Sequence, residues 1–127
     1  MEITAIDHIV LTVTNIAETV KFYESVLGME AELFGDGRTA LKFGTQKINL
    51  HQYGQEFEPK AKHPLPGSED LCFISETKID IAMKHVISHD ITILEGPVER
   101  TGATTKLVSF YFRDPDGNLI EVSNIIS

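Results

Sequence analysis

Cysteine is scarce in this chain of 127 residues, which contains only Cys72. A single thiol cannot form an intramolecular disulfide, so the small disulfide-stapled folds are excluded. Cys72 lies in the apolar run LCFI, where a cysteine usually serves as a small hydrophobic core residue rather than as a nucleophile. We therefore expect Cys72 to be an inert core residue.

Basic residues are also few. The chain has 11 lysines and arginines against 19 aspartates and glutamates, which gives a formal charge of −8. Proteins that bind nucleic acid neutralise several phosphates with Lys and Arg, and a strongly acidic chain repels the same phosphates. Nucleic acid is therefore not an expected partner.

Long apolar runs are missing, because no stretch approaches the roughly 20 residues that a membrane helix needs. The opening MEITAIDH lacks the basic and continuously apolar segments of a secretory signal. The 42% apolar and 24% charged residues are ordinary for a globular domain. These features predict a cytoplasmic protein without a membrane segment.

The signals for secondary structure recur in the same order in the two halves. Alternating apolar residues predict strands, and apolar residues at helical spacing, bounded by Asn15 and Gly28 in the first half, predict one helix in each half. The first half predicts a strand at 6–13, a helix at 16–27 and strands at 30–34, 39–43 and 47–53. The second half predicts a strand at 70–75, a helix at 79–88 and strands at 92–95, 107–113 and 119–124.

This order predicts an α+β fold of two tandem βαβββ modules in one domain. Module one covers about residues 4–53 and module two about 69–125. Residues 54–68, which contain three prolines, predict a connector. The segments DHIVLTV and EDLCFIS each precede a helix, and INLHQ and NLIEV each close a module.

The segment RDPDGN between the last two strands is typical of a tight turn. Proline presets the backbone, aspartate side chains cap the turn, and glycine accepts a positive φ. Asp114 and Asp116 are therefore expected to be structural.

Four polar residues interrupt strands that are otherwise apolar on alternate positions: His8, His51, Asp70 and Glu121. Two imidazoles and two carboxylates suit Zn, Ni, Co, Mn or Fe(II) in an open site. However, a single histidine in a strand is more often a hydrogen-bonded residue than a ligand, and no C-x-x-C or H-E-x-x-H signature is present. Spacing alone leaves both interpretations open.

Several segments resemble a known family. IDHIVLTV, KFYESVLGM and FRDPDGNLIEV are similar to the vicinal oxygen chelate superfamily, which includes glyoxalase I, bleomycin-resistance proteins, fosfomycin-resistance enzymes and extradiol dioxygenases. INLHQYGQEFEPKAKHPLPGSEDLCFI and EGPVERTGA resemble the glyoxalase domain-containing protein 5 group, whose bacterial members are often labelled virulence proteins or dioxygenase-like proteins. The resemblance extends over the whole chain.

The resemblance implies a divalent metal held in a cup of paired modules, with ligands on the first and last strand of each module. His8 matches the ligand of the first strand, Glu121 matches the closing carboxylate, and His51 lies on the last strand of module one. Asp70 departs from the pattern, because many relatives have a histidine there. The resemblance also implies a homodimer, in which one subunit supplies His8 and His51 and the other supplies Asp70 and Glu121.

Three functions are compatible with this resemblance. The first is a glyoxalase-I-like lyase or isomerase acting on a small molecule with adjacent oxygens, with Glu121 moving a proton. The second is an extradiol-type dioxygenase at Fe(II) or Mn, which the departure at Asp70 makes a weaker match. The third is a dimer that binds a small molecule or antibiotic without catalysis. Arg38, Lys42 and Arg100 are candidates for contacts to an anionic group.

Overall fold

The computed structural model describes residues 1–126, and it divides the chain into two compact units, Met1–Ser68 and a second unit that begins at Glu69. Each unit contains one helix and one four-stranded mixed sheet, so the predicted α+β class and the two βαβββ modules are confirmed. The first unit contains β1 His8–Val13, α1 Ile16–Ser25, β2 Glu30–Phe34, β3 Arg38–Phe43 and β4 Gln46–Gln52. The second contains β5 Asp70–Ile74, α2 Ile79–Ile87, β6 Glu95–Thr101, β7 Lys106–Arg113 and β8 Leu119–Ile126.

The two sheets have the same topology. Their strand orders are β1-β4-β3-β2 and β5-β8-β7-β6, so the first strand of each module lies beside its last strand. These two pairs are parallel, whereas the other neighbours are antiparallel. Within residues 1–126, neither helix is long and apolar enough to cross a membrane.

Each core lies between the helix and one face of the sheet. In the first unit, the Asn15 side chain accepts a hydrogen bond of 3.0 Å from the Glu18 backbone, which caps α1 as predicted. The helix buries Thr19 and Tyr23 against the apolar alternate residues of the sheet. These residues are Leu11, Val13, Leu41, Ile48 and Leu50, none more than 1% exposed. In the second unit the core consists of Ala82, Val86, Phe110, Phe112, Ile120 and Val122.

The turn between β7 and β8 is built around Asp114, as predicted. Its Oδ1 accepts hydrogen bonds from the backbone of Asp116 at 3.0 Å and of Asn118 at 2.9 Å, and its Oδ2 accepts from Asn118 Nδ2 at 2.8 Å. Asn118 Oδ1 in turn accepts from the Glu69 backbone at 2.9 Å. The turn is therefore hydrogen-bonded to the residue that precedes β5.

Most strands lie within one or two residues of their predicted bounds, and the differences at β1 and β6 have a physical reason. β1 starts at His8 rather than at residue 6, because its partner strand begins only at Gln46 and His8 lies opposite Lys47. β6 runs from Glu95 to Thr101 rather than over 92–95. Glycine and proline are unfavourable inside most strands, but β6 is the edge strand of its sheet, where proline is tolerated.

Gly96 provides a test of this edge packing. Its φ is 125°, and a Cβ there would lie 2.5 Å from the Cβ of Phe110. We expect Gly96→Ala to lower the free energy of unfolding by about 2–5 kcal/mol, through backbone strain and overpacking. Urea unfolding would measure the loss.

Gly28 provides the matched control. Its φ is 66°, and no atom lies within 4 Å of the position that a Cβ would take there. Gly28→Ala should cost only about 1–2 kcal/mol, because it changes the backbone preference without creating a clash. Equal losses for the two variants would contradict the close packing of β6 on β7.

Candidate functional site

The face of each sheet that points away from its helix carries the polar side chains. Strand alternation and register place them there, because the neighbouring positions on the other face form the core. We call these surfaces the polar faces. That of the first unit includes His8, Thr12, Arg38, Lys42, Lys47, Asn49 and His51. That of the second unit includes Asp70, Cys72, Ser109, Tyr111, Glu121 and Ser123.

The second unit contains a cavity of about 410 Å³ on its polar face. Asp70 lies opposite Leu119 and Glu121 lies opposite Cys72, so the two carboxylates are two residues apart along neighbouring strands, at roughly 8 Å between Cα atoms. The structure thus brings two of the predicted site residues together. The lining residues are Asp70, Leu94, Glu95, Arg100, Tyr111, Leu119 and Glu121.

Tyr111 lies between Glu121 and Arg100, the arginine that lines this cavity. Arg100 Nε donates a hydrogen bond of 2.8 Å to the Tyr111 hydroxyl, and Arg100 Nη2 lies 3.1 Å from Glu95 Oε1. Tyr111 is paired with Glu121 across the two strands. Burial raises the pKa of Tyr111, and the charge and hydrogen bonding of Glu121 raise it further. The phenol therefore stays protonated at neutral pH, beside the carboxylate.

Sequence reasoning missed Tyr111. The predicted turn at Asp114 was a usable signal. In the antiparallel strands that flank this turn, counting the same number of residues away from it on each side places Tyr111 opposite Glu121. The alternation of buried Phe110 and Phe112 also assigns Tyr111 to the opposite face of the sheet.

The Glu121 carboxylate also accepts a hydrogen bond from a serine hydroxyl, which has a second hydroxyl beside it. Ser123 Oγ donates to Glu121 Oε2 at 3.3 Å, and it also lies 2.6 Å from Ser109 Oγ and 3.3 Å from Cys72 Sγ. Cys72 is exposed on the polar face and is not the core residue that we expected, because the alternation of β5 turns its half-buried neighbours Leu71 and Phe73 towards the core instead. Partial burial of the sulfur raises the pKa of Cys72, which disfavours the nucleophilic thiolate.

His51 is buried in the first unit, with 3% of its surface exposed. Its Nε2 lies 3.4 Å from Arg38 Nη2, and its ring meets that of Phe57 edge-on at 5.7 Å. Burial lowers the pKa of His51, and the neighbouring Arg38 charge lowers it further.

His8 and His51 are not neighbours, although they share a face of one sheet. His8 lies opposite Lys47, whereas His51 lies opposite Thr12, which corresponds to roughly 14 Å between the two Cα atoms. His8 is exposed, and its Nδ1 lies 2.9 Å from Asp7 Oδ2. Among residues 1–126, neither unit contains three or more His, Cys, Asp or Glu side chains placed to hold a metal ion.

Asn49 is a second residue that sequence reasoning missed. It lies two residues beyond the partner of His8, as Glu121 lies two residues beyond the partner of Asp70. Asn49 is 4% exposed, and its Oδ1 has no hydrogen-bond partner among the described residues. The sequence did contain a signal for Asn49. It is the middle residue of INL, as Glu121 is the middle residue of IEV, and both lie between two buried residues.

Residues 5–122 match the Glyoxalase/Bleomycin resistance protein/Dioxygenase superfamily. The chain belongs to this superfamily. It is 57% identical over 126 residues to the virulence protein STM3117 of Salmonella typhimurium, a match that covers 99% of this chain and 88% of that protein. The crystal structure of that virulence protein has a TM-score of 0.97, and the match covers 99% of this chain and 100% of the other. The glyoxalase domain-containing protein RDO1 of Mycosarcoma maydis is 52% identical, over 98% of this chain and 70% of that protein.

More distant members of the superfamily have named activities. The metallothiol transferase FosB of Staphylococcus epidermidis is 28% identical over 94% of this chain and 83% of that protein. The structure of a lactoylglutathione lyase from Agrobacterium tumefaciens has a TM-score of 0.74 at 23% identity, covering 98% of this chain and 96% of the other. At this identity the likeness of the lyase concerns the fold alone.

The lowered pKa of His51 has a consequence for stability. The folded protein favours the neutral ring, so the unfolded chain takes up a proton more readily once the pH falls below the ordinary value of 6.5. Stability from this group is present above that pH and is lost on acidification. Urea unfolding of metal-free protein at about pH 7.5 and about pH 5.5 should show a smaller acid-induced loss in His51→Gln than in the parent.

The exposed His63 provides the control for this measurement. His63→Gln should keep the pH dependence of the parent protein. An unchanged pH dependence in His51→Gln would show that the buried ring is not the source of the effect.

Proposed function

We propose that the protein is a divalent-metal-dependent enzyme that acts as a glyoxalase-like lyase or isomerase on a small molecule with two adjacent oxygens. The observation that supports this most directly is the cavity of the second unit, in which Asp70 and Glu121 lie side by side with Tyr111. The relation to FosB, whose name describes a metallothiol transferase, supports metal chemistry within the superfamily.

The charges of this cavity fit a cation. Neither Asp70 nor Glu121 has an ion-pair partner among residues 1–126, and the cavity's arginine is already engaged by Glu95 and Tyr111. Two neighbouring carboxylates repel each other, and a bound cation relieves that repulsion. Carboxylate and imidazole donors together suit Zn, Ni, Co, Mn or Fe(II).

The remaining donors come from the polar face of the first unit. His8 is the proposed imidazole ligand. For the second position, we propose Asn49 rather than His51. Asn49 lies two residues beyond the strand partner of His8, and Glu121 lies two residues beyond the strand partner of Asp70. The buried Oδ1 of Asn49 also lacks a partner among the described residues. His51 instead lies against Arg38.

Each polar face supplies two of the proposed ligands. We propose a homodimer with two equivalent sites, in which β1 and β4 of one subunit face β5 and β8 of the other. Closed two-fold symmetry allows the same pair of surfaces to form both sites.

In the proposed mechanism, a divalent metal held by His8, Asn49, Asp70 and Glu121 would supply Lewis-acid polarisation of the two adjacent oxygens of the substrate. The Glu121 carboxylate accepts a proton from one carbon of the substrate and returns it to the neighbouring carbon. Ser123 donates to Glu121 Oε2 and so fixes its orientation. The protonated Tyr111, held by Arg100, donates a hydrogen bond at the position where negative charge develops.

Metal binding is the first test. Glu121→Gln and His8→Ala should each lose most of the bound metal while the fold is retained, because both side chains lie outside the cores. Equilibrium dialysis against Mn(II), followed by elemental analysis, measures the stoichiometry. Glu76→Gln, at an exposed carboxylate in the same unit as Glu121, is the control, and full occupancy in both site variants would disprove the assignment.

Oxygen dependence is the second test. A proton transfer needs no oxygen, so turnover of thiol adducts of α-ketoaldehydes should be equal in aerobic and anaerobic buffer. Tyr111→Phe should lower kcat about tenfold or more with little change in KM, whereas Tyr53→Phe, at an exposed tyrosine, should have no effect. Turnover of catechols that strictly requires oxygen would instead favour a dioxygenase.

A further inference from the structure

The polar face of the first unit contains an arginine without a carboxylate partner among the described residues. The Arg38 guanidinium lies 5.2 Å from the ring centroid of Phe34 and 4.8 Å from that of Phe57. Its Nη2 lies 3.4 Å from His51 Nε2. Its Nε is buried and has no hydrogen-bond partner within residues 1–126, which is an unfavourable state for a charged donor.

A second cation lies against the Phe34 ring. Lys47 Nζ is 4.0 Å from the ring centroid of Phe34, and in the described part of the chain no carboxylate pairs with either Arg38 or Lys47. These two cations therefore share one aromatic ring and remain uncompensated in a chain whose formal charge is −8.

The carboxylates of the adjacent connector are already engaged. Glu56 and Glu58 approach Lys60 at 3.4 and 3.2 Å. On β3 itself, Lys42 pairs with Glu32 at 3.2 Å. The lack of a partner thus distinguishes Arg38 from a lysine four residues away on the same face.

We propose that Arg38, together with Lys47, forms a binding site for the oxyanion of a small molecule, a carboxylate or a phosphate. The two phenylalanine rings hold the guanidinium in place, which reduces the entropy lost on binding. A guanidinium carries several N–H donors in a planar fork, and two of them together match two oxygens of such a group. His51 acts as a positioning residue behind Nη2. The site lies within the first unit and requires no metal, so it does not depend on the proposed function.

Titration of the parent protein tests the site directly. In the presence of a chelator and at constant ionic strength set with chloride, acetate and inorganic phosphate are added separately while the backbone amide NMR signals of residues 38 and 47, which the variants also possess, are followed. We expect a saturable shift with at least one of the two anions. Tighter binding of acetate identifies a carboxylate site, and tighter binding of phosphate identifies a phosphate site.

Two variants separate a specific site from general charge. Arg38→Met keeps the apolar contacts to the rings but removes the donors, so the affinity for the preferred anion should fall at least about tenfold. Lys21→Met removes an exposed charge on α1, on the side of the sheet opposite the polar face, and it should bind like the parent. Circular dichroism checks that both variants are folded.

The proposal is overturned if neither anion shifts the amide signals of residues 38 and 47 saturably, which the parent protein alone can show. It is equally overturned if Arg38→Met binds as tightly as the parent, or if Lys21→Met and Arg38→Met lose the same affinity. Loss of metal binding or of turnover would not bear on it, because the titration uses metal-free protein.

Discussion

The structure depends on the parallel pairing of the first and last strand in each module. These strands are separated in the chain by a helix and a hairpin, yet β1 lies beside β4 and β5 beside β8. The register of these pairs decides which side chains are diagonal neighbours on the polar face. A slip of one residue would turn every one of these side chains towards the helix, where Leu50 and Ile120 now form the core.

Local signals predicted most of the elements, because caps, turns and alternation are properties of short segments. The Asn15 cap and the Asp114 turn are formed by residues within a few positions of one another. The bounds of β6 were wrong, because this strand contains Gly96 and Pro97, and only its position at the sheet edge makes a proline acceptable there.

Register between distant strands could not be predicted in the same way. His51 was predicted to be a metal ligand because it is an imidazole in an apolar strand. Periodicity cannot show that this residue lies opposite Thr12 rather than close to His8. Asn49, which occupies the position equivalent to that of Glu121, has a less reactive side chain and was overlooked. The contact between Arg38 and Phe57 joins a strand to the connector, and no pattern of the sequence predicts it. The two modules thus share one backbone plan and differ in charge: the polar face of the first leaves cations unpaired and that of the second leaves carboxylates unpaired, within the part of the chain that the structure describes.

Asn118 has a consequence for how this protein can diverge. Its side chain bridges Asp114 in the turn and the backbone of Glu69, just before Asp70, while the residue itself is buried outside the cavity. This bridge ties the residue before β5 to the turn before β8 through a side chain outside the cavity. Leu94, Leu119 or Arg100 in the cavity lining can therefore be replaced without breaking that bridge, whereas loss of the Asn118 side chain would remove it.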